Sequence, residues 1–309
     1  MAQLEIFDKS NNNMNYENFF TRANPGLVVI LIDQSKSMED PWSGGKTLAE
    51  QTALSINRCL SEMALRFTSG TFIKNSANIV LIGYGGVKDS MAATLLHSGS
   101  IVSLFEDDSI PVLHLKQKIS DGAGGIIEID TDLKEFVKPT AVWGTPMASA
   151  FELAKSVIQE WVSRPLDSVD EDGKPIVRDA SKDPVPIVVN ISDGEPTDSE
   201  ADVRKFAKEI LDTTCPDGNP LIFNIHLSAN GGKEVSMPTN DSDLPDAMSK
   251  LLYDISSSLP QSMVAAAQQM GFPHAVEGAK TFLSNVTEVE KFVNFLNFGT
   301  QGTKDPTLR

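Results

Sequence analysis

The most constraining feature of this sequence is an unbroken apolar run, residues 27–32, which leads directly into Asp33 and is followed by Ser35 and Ser37. A run of valine, leucine and isoleucine without polar alternation is typical of a strand buried on both faces, in the middle of a parallel sheet covered by helices. In open α/β sheets, ligand sites lie beyond the carboxyl ends of the strands. We therefore expect Asp33, Ser35 and Ser37 to occupy a loop at this edge of a sheet.

The same pattern recurs along the chain, and strand patterns alternate with helix patterns. A second apolar run, 78–85, ends in glycines, and a third, 186–194, leads into Asp193. We predict further strands at 221–227 and 280–283, and helices at 47–67, 146–164, 199–212, 244–257, 261–270 and 287–297. This alternation indicates an α/β fold with a doubly wound, mostly parallel central sheet flanked by helices.

The extent of this alternation predicts the domain organisation. We assign 25–298 to one α/β domain, 1–24 to a polar leader with an aromatic patch, and 299–309 to a tail. Inside the domain, about 98–130 is predicted to be a strand plus a β-hairpin insertion, with Asp121-Gly122-Ala123-Gly124 as its turn. Residues 165–185 are expected to form a mobile acidic loop. The insertion and this loop are where specific contacts of this chain could lie.

The charge balance restricts the possible partners. The chain has 26 Lys and Arg against 42 Asp and Glu, which gives a net charge of −16 at pH 7. Nucleic acids and anionic membranes require a basic surface, so neither is an expected partner. An acidic protein of this kind attracts cations or basic surfaces instead.

The cysteine content and the N-terminus bear on the cellular compartment. Cys59 and Cys215 are the two cysteines of the chain, so no disulfide framework is indicated. Residues 1–24 lack a basic segment followed by an apolar one, and no run of about 18 apolar residues occurs in the sequence. We predict a cytoplasmic protein without an export signal or a membrane span.

Two further loops add polar side chains at the same predicted edge of the sheet. Thr145 stands between Gly144 and Pro146 at a helix entrance, and Asp193 follows the third strand. Each loop alone is weak evidence, because Asp and Ser are common in turns and caps. Thr145 before Pro146 also has the form of a helix N-cap, which is compatible with metal binding. The three loops together, opening at one edge, are much more specific than any one of them.

The three loops resemble the metal-ion-dependent adhesion site of von Willebrand factor A (integrin I-type) domains. The resemblance rests on Asp33-x-Ser35-x-Ser37, on Thr145 in its Gly-Thr-Pro context and on Asp193 in Ser-Asp-Gly, and it covers about 25–298. It implies an octahedral Mg²⁺ or Mn²⁺ with Ser35, Ser37 and Thr145 as direct ligands, and Asp33 and Asp193 binding directly or through water. The implied ion agrees with the chemistry of the residues, because Mg²⁺ takes six oxygen ligands at about 2.0–2.1 Å and keeps waters where the protein offers few.

Several neighbouring residues have simpler interpretations. Thr197 with Glu200 is predicted to form a capping box that opens the helix near 199. Glu195 and Asp198 are interpreted as cap or surface residues. Gly45-Lys46-Thr47 is rejected as a phosphate-binding loop, because Asp40 stands where that motif needs glycine. The four histidines, His97, His114, His226 and His274, lack metal-ligand spacing.

Three functions are compatible with these residues. The leading hypothesis is a non-catalytic module that binds a protein partner through a metal ion, to which the partner supplies an Asp or Glu. The first alternative is a Mg²⁺-dependent phosphohydrolase with Asp33 as nucleophile, although the haloacid-dehalogenase pattern needs an acid where this chain has Ser35. The second alternative is an extracellular adhesin, which the absent export signal disfavours.

The biological setting of the leading hypothesis comes from a narrower resemblance. The run at 192–198, Ser-Asp-Gly-Glu-Pro-Thr-Asp, is similar to intracellular bacterial A-domain proteins of the tellurium-resistance type. Proteins of that type are associated with protein kinase and phosphatase partners or with ATPase-driven assemblies. The resemblance therefore implies an adaptor in an intracellular signalling or stress-response complex.

Overall fold

A computed structural model of the chain describes residues 14–42, 45–120, 126–169, 173–227, 233–244, 246–286 and 288–300. Its strands are β1 (Gly26–Asp33), β2 (Thr68–Ser69), β3 (Phe72–Ile73), β4 (Ala77–Tyr84), β5 (Thr94–Ser100), β6 (Val112–Ser120), β7 (Ile126–Lys134), β8 (Asp167–Val169), β9 (Pro175–Val177), β10 (Ile187–Ser192), β11 (Leu221–His226), β12 (Val235–Ser236) and β13 (Phe282–Ser284). Its helices are α1 (Leu48–Phe67), α2 (Ile101–Glu106), α3 (Met147–Val162), α4 (Glu200–Leu211), α5 (Ala247–Ile255), α6 (Gln261–Gln269) and α7 (Val289–Gly299).

The central sheet has the predicted architecture. In the described part of the chain it holds seven strands in the order β12-β13-β11-β10-β1-β4-β5. β1 pairs in parallel with β10 on one side and with β4 on the other, and β10–β11 and β11–β13 are parallel as well. The edge strands β5 and β12 pair antiparallel. The fold class predicted from the sequence, a doubly wound and mostly parallel α/β sheet, is confirmed.

The apolar run of β1 is continuous because both faces of this strand are covered. Val28, Ile30 and Ile32 belong to the core cluster that includes residues of α1, α6 and α7. The alternate side chains of β1 belong to the cluster on the other face, with residues of α3, α4 and α5. Successive side chains of a strand point to opposite faces, so a strand between two helix layers needs apolar residues at every position. No helix among the described residues has the length and apolar character needed to span a membrane.

The region predicted as an insertion contains more regular structure than expected. β6 and β7 form the predicted antiparallel hairpin, pairing from Val112 with Lys134 to Ser120 with Ile126. The predicted turn at 121–124 lies outside the described residues. Before the hairpin, β5 joins the edge of the central sheet and α2 follows it directly. The sequence did not predict α2, because six residues are too few for a helical period to stand out.

The two segments flanking this core are fastened at the amino ends of the parallel strands. In the described part of the leader, Phe20 is buried and its ring lies where a Cβ on Gly26 would stand, 2.2 Å away. In the acidic segment 165–185, the described residues form the pair β8–β9 and a short 3-10 helix at 180–182. Asp183, at the end of this segment, is ion-paired with Arg178 and Arg164. The described part of the predicted acidic loop is therefore regular and tied to the core.

A line of buried polar side chains crosses the sheet on the α3–α5 face. The Tyr84 hydroxyl donates to Asn190 Oδ1 at 2.9 Å, and Asn190 Nδ2 donates to Asn224 Oδ1 at 3.0 Å. Asn224 Nδ2 in turn donates to Ser256 Oγ at 2.9 Å, just after α5. All of these side chains are essentially excluded from solvent. Each donor finds an acceptor, as buried polar groups require.

Candidate metal centre

Asp33 is the last residue of β1, and its carboxylate is held by hydrogen bonds from two neighbouring segments. The Ser35 backbone N–H donates to Oδ1 at 2.8 Å, and the Ser192 hydroxyl donates to Oδ2 at 2.6 Å. Asp33 is only 1% exposed. β1 and β10 are neighbours in the sheet, so their carboxyl ends bring Asp33 and Ser192 together. The carboxylate is thus fixed in position by the sheet itself.

The loop after β1 turns the two serine hydroxyls toward each other. A short 3-10 helix at Lys36–Glu39 follows Ser35, and the Ser35 and Ser37 Oγ atoms lie 3.1 Å apart. The Ser37 hydroxyl donates to Asp193 Oδ1 at 2.9 Å. One chain of contacts therefore links Asp33, Ser35, Ser37 and Asp193, which the sequence placed in two separate loops.

Thr145 is brought to this edge by residues 142–145, which we call the strap. The backbone N–H groups of Val142 and Trp143 donate to the carbonyls of Gln34 and Gly85, each at 2.9 Å, and the Lys36 N–H donates to the Trp143 carbonyl at 2.8 Å. Gly85 has φ +88°, and a Cβ there would stand 2.2 Å from the Gly144 carbonyl oxygen. A side chain at residue 85 would therefore push the strap away from the loop after β1.

Thr197 fixes the backbone of Thr145. Its hydroxyl accepts the Thr145 N–H at 2.8 Å, and its own N–H donates to the Thr145 carbonyl at 2.9 Å. The predicted capping box of Thr197 with Glu200 is wrong, because Ser199 caps α4 by accepting the Asp202 N–H. The sequence offered no signal for the pairing of Thr197 with Thr145, which are 52 residues apart.

The entrance of α3 also differs from the prediction. Pro146 occupies the N-cap position and offers no side-chain cap, so Thr145 lies outside the helix. The N–H of Ser149, in the first turn, donates instead to Asp198 Oδ2 at 3.1 Å. Asp198 is therefore a capping residue as interpreted, but it caps α3 from the loop before α4. Its second oxygen, Oδ1, is buried without a hydrogen-bond partner, and burial raises the pKa of this carboxyl.

All five predicted site residues converge at one point of the sheet edge. Ser37 Oγ and Thr145 Oγ1 lie 3.4 Å and 3.5 Å from the position that a Cβ on Gly194 would take. Glycine next to Asp193 leaves room between the two hydroxyls. Among the described residues, no three His, Cys, Asp or Glu side chains form a metal-binding group. A cation here would thus rely on hydroxyls beside the carboxylates of Asp33 and Asp193.

The electrostatics of the site show two acids close together without a countercharge. Burial raises the pKa of Asp33 to about 6, although hydrogen bonds from Ser192 and Ser35 oppose the shift. Burial and, next, the charge of Asp33 raise the pKa of Asp193 to about 7. No described Lys, Arg or His forms an ion pair with either carboxylate, and Lys36 pairs with Glu39 instead. The site therefore favours a bound positive charge.

The donor set fits a hard divalent cation. Two carboxylates balance the charge of one dication, while the hydroxyls of Ser35, Ser37 and Thr145 are neutral oxygen ligands of the kind that Mg²⁺ and Mn²⁺ accept. Imidazole and thiolate groups, which favour zinc, are not among the site residues. The residues present thus suit Mg²⁺ or Mn²⁺ better than a softer metal.

Comparisons with known proteins give distant structural similarities. No protein-family model matches the sequence, and no curated protein matches it. The von Willebrand factor domain of the pili tip protein Mfa5 from Porphyromonas gingivalis is 17% identical, covers 56% of this chain and 39% of its own, and has a TM-score of 0.31. The pilus adhesin SpaC from Lactobacillus rhamnosus GG is 12% identical, covers 91% of this chain and 30% of its own, and has a TM-score of 0.48.

A third similar structure was solved with a metal. Manganese-loaded TRAP protein from Plasmodium vivax is 14% identical, covers 65% of this chain and 57% of its own, and has a TM-score of 0.34. The chain spans less than two-thirds of the length of each of these proteins.

Proposed function

We propose that this protein is a non-catalytic module that binds a protein partner through a divalent cation at the carboxyl edge of its sheet. One observation carries the proposal. The buried carboxylate of Asp33 and the half-buried carboxylate of Asp193 lie within one hydrogen-bonded cluster with Ser35 and Ser37, with Thr145 beside it, and no described basic side chain neutralises them. A cation supplies the missing charge, and an acidic side chain of the partner completes its coordination.

The residues of the site have distinct roles in this proposal. Ser35, Ser37 and Thr145 hold Mg²⁺ or Mn²⁺ through their hydroxyls, and Asp33 and Asp193 bind it directly or through water. The bound ion supplies a Lewis-acidic position open to a carboxylate of the partner. The strap and Thr197 keep Thr145 in place through the backbone hydrogen bonds that fasten it. Neutral hydroxyls leave more positive charge on the ion than additional carboxylates would.

Catalysis by Asp33 is not part of this proposal. A phosphohydrolase of the haloacid-dehalogenase type needs an accessible nucleophilic carboxylate with a second acid two residues later. Asp33 is buried, both of its oxygens accept hydrogen bonds, and Ser35 stands at the second position. These features support binding rather than reaction at this carboxylate.

The setting that we propose is an intracellular complex in the cytoplasm, with a protein partner and without nucleic acid or membrane. The two cysteines without a disulfide framework and the net charge of −16 support this setting. The run 192–198 supports a relation to tellurium-resistance proteins, with a kinase, a phosphatase or an ATPase of the same system as the partner class. Fractionation of cells that express the full protein tests the compartment, and recovery outside the cell would favour an adhesin.

Isothermal titration of the EDTA-treated protein with MgCl₂ and MnCl₂ tests the metal site. We expect saturable binding to the wild type and at least about tenfold weaker binding to Asp33→Ala and Thr145→Ala, because each removes one ligand. Asp212→Ala, an exposed acid on another face, is the matched control and should bind as the wild type does. Circular dichroism confirms that the variants are folded.

The partner is tested separately. A protein captured from the source cell by the wild type should be released by EDTA and should not be captured by Asp33→Ala. A wild type that binds neither ion contradicts the metal site, whereas capture that persists in EDTA contradicts the role of the metal in binding.

A further inference from the structure

A cavity of about 310 Å³ opens between β5 and the segment that leads into the strap. Leu96, Ile110 and Phe136 provide apolar walls, and Gln34, Glu135 and Lys138 are among the polar side chains that line it. This volume lies at the lower end of the range for small-molecule sites. The candidate metal ligands do not line this cavity, so it is separate from the metal centre.

Gln34 is the unusual residue of this cavity. Its side chain is 6% exposed, yet its amide makes no hydrogen bond with any described residue. A Cβ on Gly83 or Gly86 would stand 2.2 Å or 2.4 Å from the Gln34 side-chain oxygen, so both glycines make room for this amide. The Gln34 amide is not among the fully buried polar atoms that lack a partner, so it reaches the open space of the cavity, where a bound molecule can hydrogen-bond it.

The charged groups of the cavity indicate what such a ligand carries. Glu135 is half-buried and Lys138 is exposed, and neither side chain forms an ion pair or a hydrogen bond with any described residue. They have opposite charges but are not paired with each other. A molecule with one positive and one negative group satisfies both without adding net charge.

We propose that this cavity binds a small zwitterion of the free α-amino acid class. The ammonium group faces Glu135, the carboxylate faces Lys138, Gln34 hydrogen-bonds the bound molecule, and the side chain of the ligand packs on Phe136. Because the metal ligands take no part, binding does not require the cation, and the inference stands apart from the proposed function. The cavity nevertheless adjoins the loop after β1, because the carbonyl of Gln34, which lines the cavity, accepts the Val142 N–H of the strap.

The test uses the EDTA-treated full chain and the proteinogenic L-amino acids at millimolar concentration, screened by thermal shift and then by isothermal titration. We expect at least one to bind saturably with a one-to-one ratio. Gln34→Leu, Glu135→Gln and Lys138→Met should each weaken it about tenfold or more, because each removes a hydrogen bond or a charge partner. Glu160→Gln and Lys250→Met, which change exposed residues elsewhere, are the matched controls.

The N-acetyl and amide derivatives of the amino acid that binds best distinguish a free zwitterion from the N-terminus of a peptide. Both derivatives should bind at least about tenfold more weakly, because each lacks one charge. An amide derivative that binds equally well would overturn the zwitterion assignment and indicate a peptide N-terminus. The proposal is also overturned if no amino acid binds the wild type, or if the rim variants Glu135→Gln and Lys138→Met, which are not buried in the core, bind as the controls do.

Discussion

Two acidic clusters at opposite ends of the central sheet are balanced in opposite ways. At the amino end of the parallel strands, Asp183 pairs with Arg178 and with Arg164, and it accepts a hydrogen bond from Asn24 at 2.6 Å. At the carboxyl end, Asp33 and Asp193 have hydroxyl and backbone donors, and no described basic side chain pairs with them. Arginine therefore neutralises Asp183, whereas no described basic side chain neutralises Asp33 and Asp193.

This difference indicates that the unpaired negative charge of Asp33 and Asp193 does not result from an inability of the fold to place arginine beside aspartate. The amino end holds the buried Arg178 beside the half-buried Arg164, and burial together with the charge of Arg178 lowers the pKa of Arg164 to about 10. The chain can thus place arginine beside aspartate where the pair only fastens its segments. Where it omits the arginine, an external cation has room to bind.

The largest effect is expected at the amino end. Asp183→Asn leaves the buried Arg178 and the half-buried Arg164 without their counterion. Breaking a buried pair of this kind typically costs about 3–5 kcal/mol of unfolding free energy. Urea denaturation followed by circular dichroism measures the loss. Asp212→Asn, which breaks an exposed pair with Lys208, should change the free energy of unfolding by less than about 1 kcal/mol. Equal effects of the two variants would contradict the structural role of the cluster of Asp183, Arg164 and Arg178.

The corresponding change at the carboxyl end should behave differently. In EDTA, Asp33→Asn removes an unpaired buried charge, so its free energy of unfolding should remain within about 1 kcal/mol of the wild type. Mg²⁺ at about 100 times its dissociation constant should stabilise the wild type by about 2.7 kcal/mol and the variant hardly at all. The same denaturation series with and without MgCl₂ measures both. A strong loss of stability in EDTA would place Asp33 with Asp183 as a structural acid.

A smaller effect is expected from the support of Thr145. Thr197→Ala leaves the buried Thr145 N–H without its acceptor, which should cost about 1–2 kcal/mol and weaken Mg²⁺ binding. Thr197→Ser keeps the hydroxyl and is the control, so it should restore most of the stability and the affinity. Isothermal titration and urea denaturation of the two variants separate this role from that of a simple surface residue. Identical behaviour of alanine and serine would exclude it.

The stability of the metal-free protein should also depend on pH. Because burial raises the pKa of Asp33 and Asp193, the folded protein binds protons at a higher pH than the unfolded chain, in which aspartates titrate near about pH 4. Their contribution to stability therefore increases as pH falls from about 8 to about 5. Thermal unfolding in EDTA measures it, and the double variant Asp33→Asn with Asp193→Asn should flatten the profile. An unchanged profile in the double variant would show that other groups cause it.

The sequence predicted the central architecture because burial leaves a direct pattern in it. β1, β4 and β10 lie between two helix layers, so their residues are apolar at nearly every position. The start of α1 was also predictable, since Thr47 and Glu50 form a capping box at the predicted residue. The five candidate ligands were found for a related reason. Four of them lie at or after the ends of strands, and Thr145 directly precedes the N-cap of a helix. Parallel strands bring such ends to one edge of the sheet.

The parts that were missed depend on contacts between distant residues. Thr197 has a sequence signature of a capping box, but its hydroxyl is used by Thr145. Gln34 is an ordinary loop residue in the sequence, and only the positions of Gly83 and Gly86 give it a buried place. No pattern in the sequence predicted the ion pairs of Asp183 with Arg164 and Arg178. Local patterns report burial and capping, and they do not report which distant residue is the partner.

The line of side chains from Tyr84 through Asn190 and Asn224 to Ser256 has a consequence for how the sheet assembles. If β10 or β11 slipped by one residue, its asparagine would turn to the other face and leave the amides unpaired in an apolar layer. Apolar side chains alone would tolerate such a slip far better. These few polar groups thus discriminate against misaligned sheets, and they fix the register of β10, the strand that leads to Asp193.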